Sequence, residues 1–488
     1  MSRINTNVSS LTAQHRLQQS NSVLETSLRR LSTGLSISRG SDNPAGLIVS
    51  ERLRSEISGV RQAIDNAERA ANVIATTEGA LEEIAKLLNE MRGLAVEAAN
   101  TGAFSKEEIE ANQLQIDSAI ESITRISNVT SFAGLKTLNG SLAFVTSGVD
   151  AASIQDVNIF GANFGTNASI PVAVEVLNSA ETASLFISGN NAASPGALQS
   201  SVTIEVRGNN GVQVLSFISG AAMSAVVFSV NSTKDATGVS ATFVDPTDQT
   251  SGMLLTSTEF GSDAFVSVRK LEDGQFFQTF DLPGGLGAPV TRDTGEDALA
   301  LVNGNLALGD GLEISMHSTT LNIEMALTVT AATTLAFHNF DVTGGGSFYQ
   351  LGASVNSSNQ VGFGIQSVAA SNLGDATVGF LNSISSGGSN SLVAGSARQT
   401  EAVVNVAIDQ ISILRGRMGA FERNTLQTSI RSQQIALENL TASESDIRDT
   451  DFAAETAALT RAQILVNAGT STLSIANSTA QNVLSLLQ

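Results

Sequence analysis

Seven residues separate each of Leu53, Val60, Ala67, Ile74, Leu81, Leu88 and Ala95 from the next. Only a helix packed along other helices keeps all of them on one side. Ile57, Ile64 and Ala71 supply a second seam over the first half of this stretch. About 50 helical residues extend about 75 Å at 1.5 Å per residue, which exceeds the helix of an ordinary globular domain. The same period returns at the C-terminus, where Leu459, Val466, Leu473, Ala480 and Leu487 form one seam and Ala462, Gly469, Ala476 and Val483 the other. The last 27 residues, Ala462 to Gln488, carry no charged side chain. They hold too many Asn, Ser, Thr and Gln for a lipid-spanning segment, so the pattern points to partner helices. At the front, Leu17, Leu24 and Leu31 with Leu28 and Leu35 predict a first seam, with Ile4, Val8 and Leu11 before it in a shifted register.

Punctuation sets the helix limits. Ser41-Asp42-Asn43-Pro44 breaks the first helix: Asp42 or Asn43 can cap the next one, and Pro44 suits its first position. The long helix should stop near Asn100-Thr101-Gly102. Ser105 and Glu108 form a capping box for a third helix with the stripe Ile109, Ile116, Ile120 and Ile123. From about Ser141 the period shortens. Strand-like runs occur at Pro171–Leu177, Ser201–Val206, Phe265–Arg269, Leu312–Met316, Asn322–Thr330 and Val361–Val368, with Gly208-Asn209-Asn210-Gly211 as a hairpin turn. Ala221–Asn231 interrupts them with one helical face, Met223, Val226, Val227 and Val230. Helix resumes at about Ala397, with Val404, Ile408, Ile411, Leu414, Met418 and Phe421 on one stripe. The fold class is therefore α+β and multidomain: coiled-coil-like helices from both termini enclose a β-rich central insertion. Residues 176–342 hold 17 Asp and Glu against 5 Lys and Arg, most of the net charge of −20. That segment should face solvent.

Composition narrows the function. The acidic balance offers no basic stripe for nucleic acid. Cysteine is absent, which excludes disulfides and thiolate metal sites. The N-terminal Met1-Ser2-Arg3-Ile4-Asn5 has no apolar core of a cleavable secretory signal. The three histidines, His15, His317 and His338, sit in no zinc, hydrolase or phosphate-loop motif. His15 reads as a polar residue setting register within the first seam. The acidic runs Glu272-Asp273-Gly274 and Asp293–Asp297 lack calcium-loop spacing and read as turns. No catalytic, cofactor-binding or metal-ligating set is expected.

At both ends the residues resemble bacterial flagellins. The front match is Leu31-Ser32-Thr33-Gly34-Leu35 followed by Ser41-Asp42-Asn43-Pro44-Ala45-Gly46-Leu47. The back match runs from Asp446-Ile447-Arg448-Asp449-Thr450-Asp451-Phe452-Ala453 through Arg461–Leu465 and Ala468–Ser471 to Gln481–Leu487. Pro44 stands where the family usually has an acidic residue or Ala. Val226–Ala241 is similar to an inserted motif of some flagellins, and Gly345–Gly374 to a strand pair leading back to the helices. The resemblance implies a subunit of the flagellar filament, a helical homopolymer used for swimming and located outside the cell. It implies that residues 1–43 and 455–488 form an inner domain, D0. Residues 44–175 and 343–454 would form D1, and 176–342 a variable outer region. It further implies export without a cleaved signal through the flagellar type III apparatus, an export chaperone, and contact with cap and hook-associated proteins. The expected D0 packing residues are Leu17, Leu24, Leu28, Leu31, Leu35, Leu459, Val466, Leu473, Ala480, Val483 and Leu487, and the expected D1 core comprises Leu53, Val60, Ile64, Ile74, Leu81, Leu88, Ile116, Ile120, Ile411 and Met418. Flagellins sensed by Toll-like receptor 5 resemble this chain at Arg92 and Leu94, but carry Arg and Glu where Glu90 and Gln115 stand here. A charge reversal at such a contact is unfavourable, so weak or absent activation is expected. A hook–filament junction protein, sharing the terminal helices, is the alternative.

Overall fold

The computed structural model describes residues 6–187, 196–273, 277–282 and 286–485, without the side chains of 273, 282, 286, 287 and 480–485. Ile4 and Leu487 lie outside this set, as do the side chains of Ala480 and Val483. The chain divides into two compact units: Met1–Ala71 with Gln350–Val355 and Ala420–Gln488, and Asn72–Tyr349 with Asn356–Gly419.

In the first unit α1 (Val8–Thr33) ends at Gly34, whose left-handed φ of 73° lets its N–H reach the Arg30 carbonyl at 2.8 Å. The helix therefore stops ahead of Ser41–Pro44, and Leu35 is not a helical seam residue: it forms an isolated antiparallel bridge with Asp449. Asn43, not Asp42, caps α2 (Pro44–Ala98), accepting the Gly46 N–H at 2.9 Å. Asp42 instead accepts the N–H groups of Ser38 and Arg39 and pairs with Arg29 at 3.0 Å, closing the loop between the helices. After a five-residue π-helical turn at Glu422–Leu426, α8 (Gln427–Arg448) and α9 (Phe452–Ser485) complete the unit.

In the second unit α3 (Lys106–Val129) starts at the Ser105–Glu108 capping box. The second half of α2 buries Ile74, Leu81, Ile84, Leu88 and Met91 completely. Salt bridges Glu78–Arg415 at 3.7 Å and Arg92–Glu401 at 3.8 Å tie α2 to α7 (Ala397–Phe421). Among the described residues, eight antiparallel strands form one sheet in the order 144–147, 337–345, 170–178, 299–302, 305–310, 313–317, 321–327, 154–162. Its inner face buries Val172, Val174, Val176, Ile314, Ile323 and Met325. The boundaries expected at 175/176 and 342/343 fall inside strands Ile170–Asn178 and Phe337–Gly345, which pair with each other. The strand expected over Asn322–Thr330 stops at Leu327. There Thr328 accepts the Ala331 N–H and caps the single turn α6 (Val329–Ala332).

A second apolar cluster joins a five-stranded and a four-stranded sheet around α4 (Met223–Ser232), whose Met223, Val226 and Val230 are buried. The short α5 (Lys234–Thr237) follows. Strands Val202–Gly208 and Gly211–Phe217 form the hairpin at Asn209-Asn210. Gly208 is required there, because a Cβ would lie 2.4 Å from the Thr237 carbonyl oxygen.

Candidate assembly surface

α1 and α9 run side by side in the first unit. Asn7 donates to the Ala476 carbonyl at 2.9 Å, Ser10 to Asn477 Oδ1 at 2.8 Å, and Arg30 pairs with Glu455 at 3.4 Å. On α9, Leu459, Val466 and Leu473 are half-buried, and between them lie buried Ala462 and half-buried Gly469 and Ala476. On α1, Leu17, Leu24 and Leu31 are half-buried. The second α1 seam is not made by Leu28, which is 49% exposed, but by Ala13, Ser20 and Ser27. Small residues win because the helices approach closely: a Cβ on Gly469 would lie 3.2 Å from Leu17 Cδ1. The register also continues unshifted to Ser10, leaving Val8 and Leu11 exposed. His15 is exposed rather than in the seam. Polar register contacts come instead from Asn7 and Ser10, which only the long-range pairing with α9 reveals.

Away from this seam, Val8, Leu11, Val23, Leu28, Ile464, Leu465 and Ile475 are all exposed. Val8, Val23 and Leu465 line one groove together with Arg16, Gln19 and Arg461. Monomeric proteins rarely expose apolar surface so continuously unless it meets a partner. Both helices thus carry an inward stripe satisfied within the chain and an outward one that is not.

Of the residues expected in D1, Leu53, Val60 and Ile64 belong to the first unit; Leu53 is half-buried there, and Val60 and Ile64 are buried. Ile74, Leu81, Leu88, Ile116, Ile120, Ile411 and Met418 are buried in the second. The second seam expected from spacing ends at Ala71; along α2 a further row, Ala63, Ala70, Thr77, Ile84, Met91 and Ala98, is buried throughout at seven-residue steps. Glu90, Leu94 and Gln115 share a shallow groove between α2 and α3, with Leu87, Glu97 and Ser122. Arg92 is not part of it and pairs with Glu401.

Among the described residues no group of three or more His, Cys, Asp or Glu is placed to hold a metal, and no helix is long and apolar enough to cross a membrane. The bacterial flagellin N-terminal helical region matches residues 4–143, and the C-terminal helical region residues 402–487. The B-type flagellin of Pseudomonas aeruginosa is 30% identical over 520 aligned positions that cover 99% of each chain. The chain belongs to the bacterial flagellin family. A flagellin of Salmonella choleraesuis is 28% identical over 524 positions, and flagellin A of Helicobacter pylori 28% over 536, each again covering 99% of both chains. Flagellin is a structural protein, the subunit of the filament used for motility. The junction-protein alternative is not favoured, since the matches at full length are to flagellins.

Proposed function

We propose that this flagellin polymerises through the outward stripes of α1 and α9, with other copies of the chain supplying the helices those stripes lack. One observation carries this reading: large apolar side chains from Val8 to Ile475 stay exposed although the seam between the two helices is already filled. Two helices can bury one stripe each, and a second stripe on each requires more neighbours. Repeated head-to-tail contacts that do not close into a ring give an open helical filament. From the family membership we further propose export through the flagellar type III apparatus, aided by an export chaperone that covers the uncharged tail. Cap and hook-associated proteins would offer matching helices at the filament ends. Deleting Thr456–Gln488 tests the assignment. The truncated chain should stay monomeric, keep the strand signal in circular dichroism, and give no filaments by electron microscopy. Normal filaments from it would end the proposal.

For the groove between α2 and α3 we propose weak or absent activation of Toll-like receptor 5. The support is the placement of acidic Glu90 beside Leu94 and Gln115 in one accessible groove, where receptor-active relatives are expected to carry Arg and Glu. Reporter cells should respond more strongly to Glu90→Arg than to the unmutated monomer. A strong response to the unmutated monomer would contradict it.

A further inference from the structure

The outer β-rich region has few basic residues, and they are not scattered. Of the 5 Lys and Arg in residues 176–342, Arg207, Arg269, Lys270 and Arg292 all lie on the four-stranded sheet built by strands 292–294, 265–273, 202–208 and 211–217. Arg269 is occupied by Glu205 at 3.1 Å. Arg292 and Arg207 both stand opposite Ser267 on the central strand, one on each side. Their guanidinium carbons sit 4.5 and 5.9 Å from the centroid of the Phe265 ring. The negative face of the ring offsets part of their mutual repulsion. Among the described residues neither makes an ion pair.

The eight-stranded sheet carries the opposite arrangement. In register across neighbouring strands stand Asp310, Glu313, Ala326 and Asp156. Asp310 and Glu313 face each other directly, a like-charge pair that destabilises its hairpin. Glu324, on the next strand, is neutralised by Arg417, but Asp310, Glu313 and Asp156 have no cation among the described residues. Burial and the charges of Glu324, Asp310, Asp156 and Asp375 push the Glu313 carboxyl above the usual range. Isolated acidic turns need no explanation; three carboxylates held in line without a cation do.

The two rows match in spacing. Arg292–Ser267–Arg207 and Glu313–Ala326–Asp156 each read charged, small, charged. In both, two strand steps of about 4.8 Å put the backbones of the charged residues about 10 Å apart, with a small residue between that lets another surface approach. We infer that the arginine row of one copy of this chain docks on the carboxylate row of a neighbouring copy. This goes beyond the helical contacts proposed above and rests on the filament reading, because it needs copies held at fixed spacing. With 17 acidic side chains against 5 basic in the outer region, neighbouring copies repel unless their basic groups are aimed at carboxylates. The rows occupy different sheets, so each contact leaves one free row at each end, and the contact propagates along a polymer.

The absence of cysteine makes the test direct. Single variants Arg292→Cys and Glu313→Cys are co-polymerised in equal amounts, filaments are verified by electron microscopy, and a short bismaleimide is added. A cross-linked heterodimer is expected in mixed filaments, and its loss in filaments of either variant alone. Intact mixed filaments without the heterodimer overturn the docking while leaving the filament reading untouched; failure of the unmutated chain to polymerise would strike that reading instead. A charge swap gives the second arm. Arg207→Glu with Arg292→Glu should lower the temperature at which filaments dissociate, and adding Glu313→Arg with Asp156→Arg to the same chain should restore it. If instead the arginine variant only loses retention on a sulfated-dextran column, with no shift in dissociation, the row binds a polyanion and the inference is wrong.

Discussion

The α1–α9 layer and the long-helix region around α2, α3 and α7 use the same seven-residue repeat but bury it to different degrees. Ile74, Leu81 and Leu88 are fully buried, whereas Leu459, Val466 and Leu473 are only half-buried and Ile464 and Ile475 keep 62% and 65% of their surface. The difference is geometric. The second half of α2 is flanked by both α3 and α7, while α1 and α9 leave each other's flanks open. A repeat in sequence therefore fixes that a helix wants neighbours, and the fold decides how many the chain itself provides. The deficit in the α1–α9 layer is the physical basis for reading it as the surface completed by other copies.

The sharpest way to break this comparison is to truncate one leucine in each region. Leu88→Ala should cost the monomer about 2–5 kcal/mol, the usual penalty for a cavity left in a closed core. Thermal unfolding of unpolymerised protein should record it as a clear drop in midpoint. Leu465→Ala, on the outward stripe of α9, should leave that midpoint nearly unchanged and instead raise the concentration needed to form filaments. Equal monomer destabilisation by the two would show that the layer is as closed as the core.

A smaller effect is expected from changing how closely α1 and α9 approach. In Gly469→Val the new Cβ meets Leu17 Cδ1 at 3.2 Å, and the γ methyls reach further into α1. Overpacking of this kind costs about 1–3 kcal/mol. The helical signal should fall and filaments should dissociate at lower temperature, with Leu17→Ala in the same chain recovering part of the loss. No recovery would mean that Gly469 serves contacts between copies rather than the approach of these two helices.

How far the sequence disclosed all this depends on what kind of residue carried the information. The α2 period, the capping box at Ser105 and the helical face at Met223–Val230 are local patterns, and each was readable from spacing. Leu28 misled because hydrophobicity ranks Leu above Ser27, while a close helix pair selects the smaller side chain. The seam through Ala63, Ala70, Thr77, Ile84 and Met91 escaped for the same reason: its first three members are only weakly apolar. The strands at 170–178 and 337–345 pair across more than 150 residues of chain, so no local boundary could separate them. Arg417 lying over Phe160, 3.4 Å from the ring centroid, and the in-register rows of the outer sheets likewise depend on pairings between distant segments.

The smallest expected effect concerns the loop joining α1 to α2. The Asp42 carboxylate is held below its ordinary value chiefly by the Arg39 N–H, aided by Ser38 and the Arg29 charge and opposed by partial burial. A carboxylate with a lowered folded value stabilises the native state above its unfolded value, and that contribution disappears as pH falls through the folded value. The loop should therefore be tightest near neutrality and loosen below about pH 4, where unfolded aspartate begins to protonate. Asp42→Asn retains one acceptor but no charge. Amide exchange at Ser38 and Arg39 should be faster in Asp42→Asn than in the unmutated chain at neutral pH, and the two should converge as the pH is lowered. A gap that persists in acid would show that loop geometry, rather than the Asp42 charge, fixes how the two helices are joined.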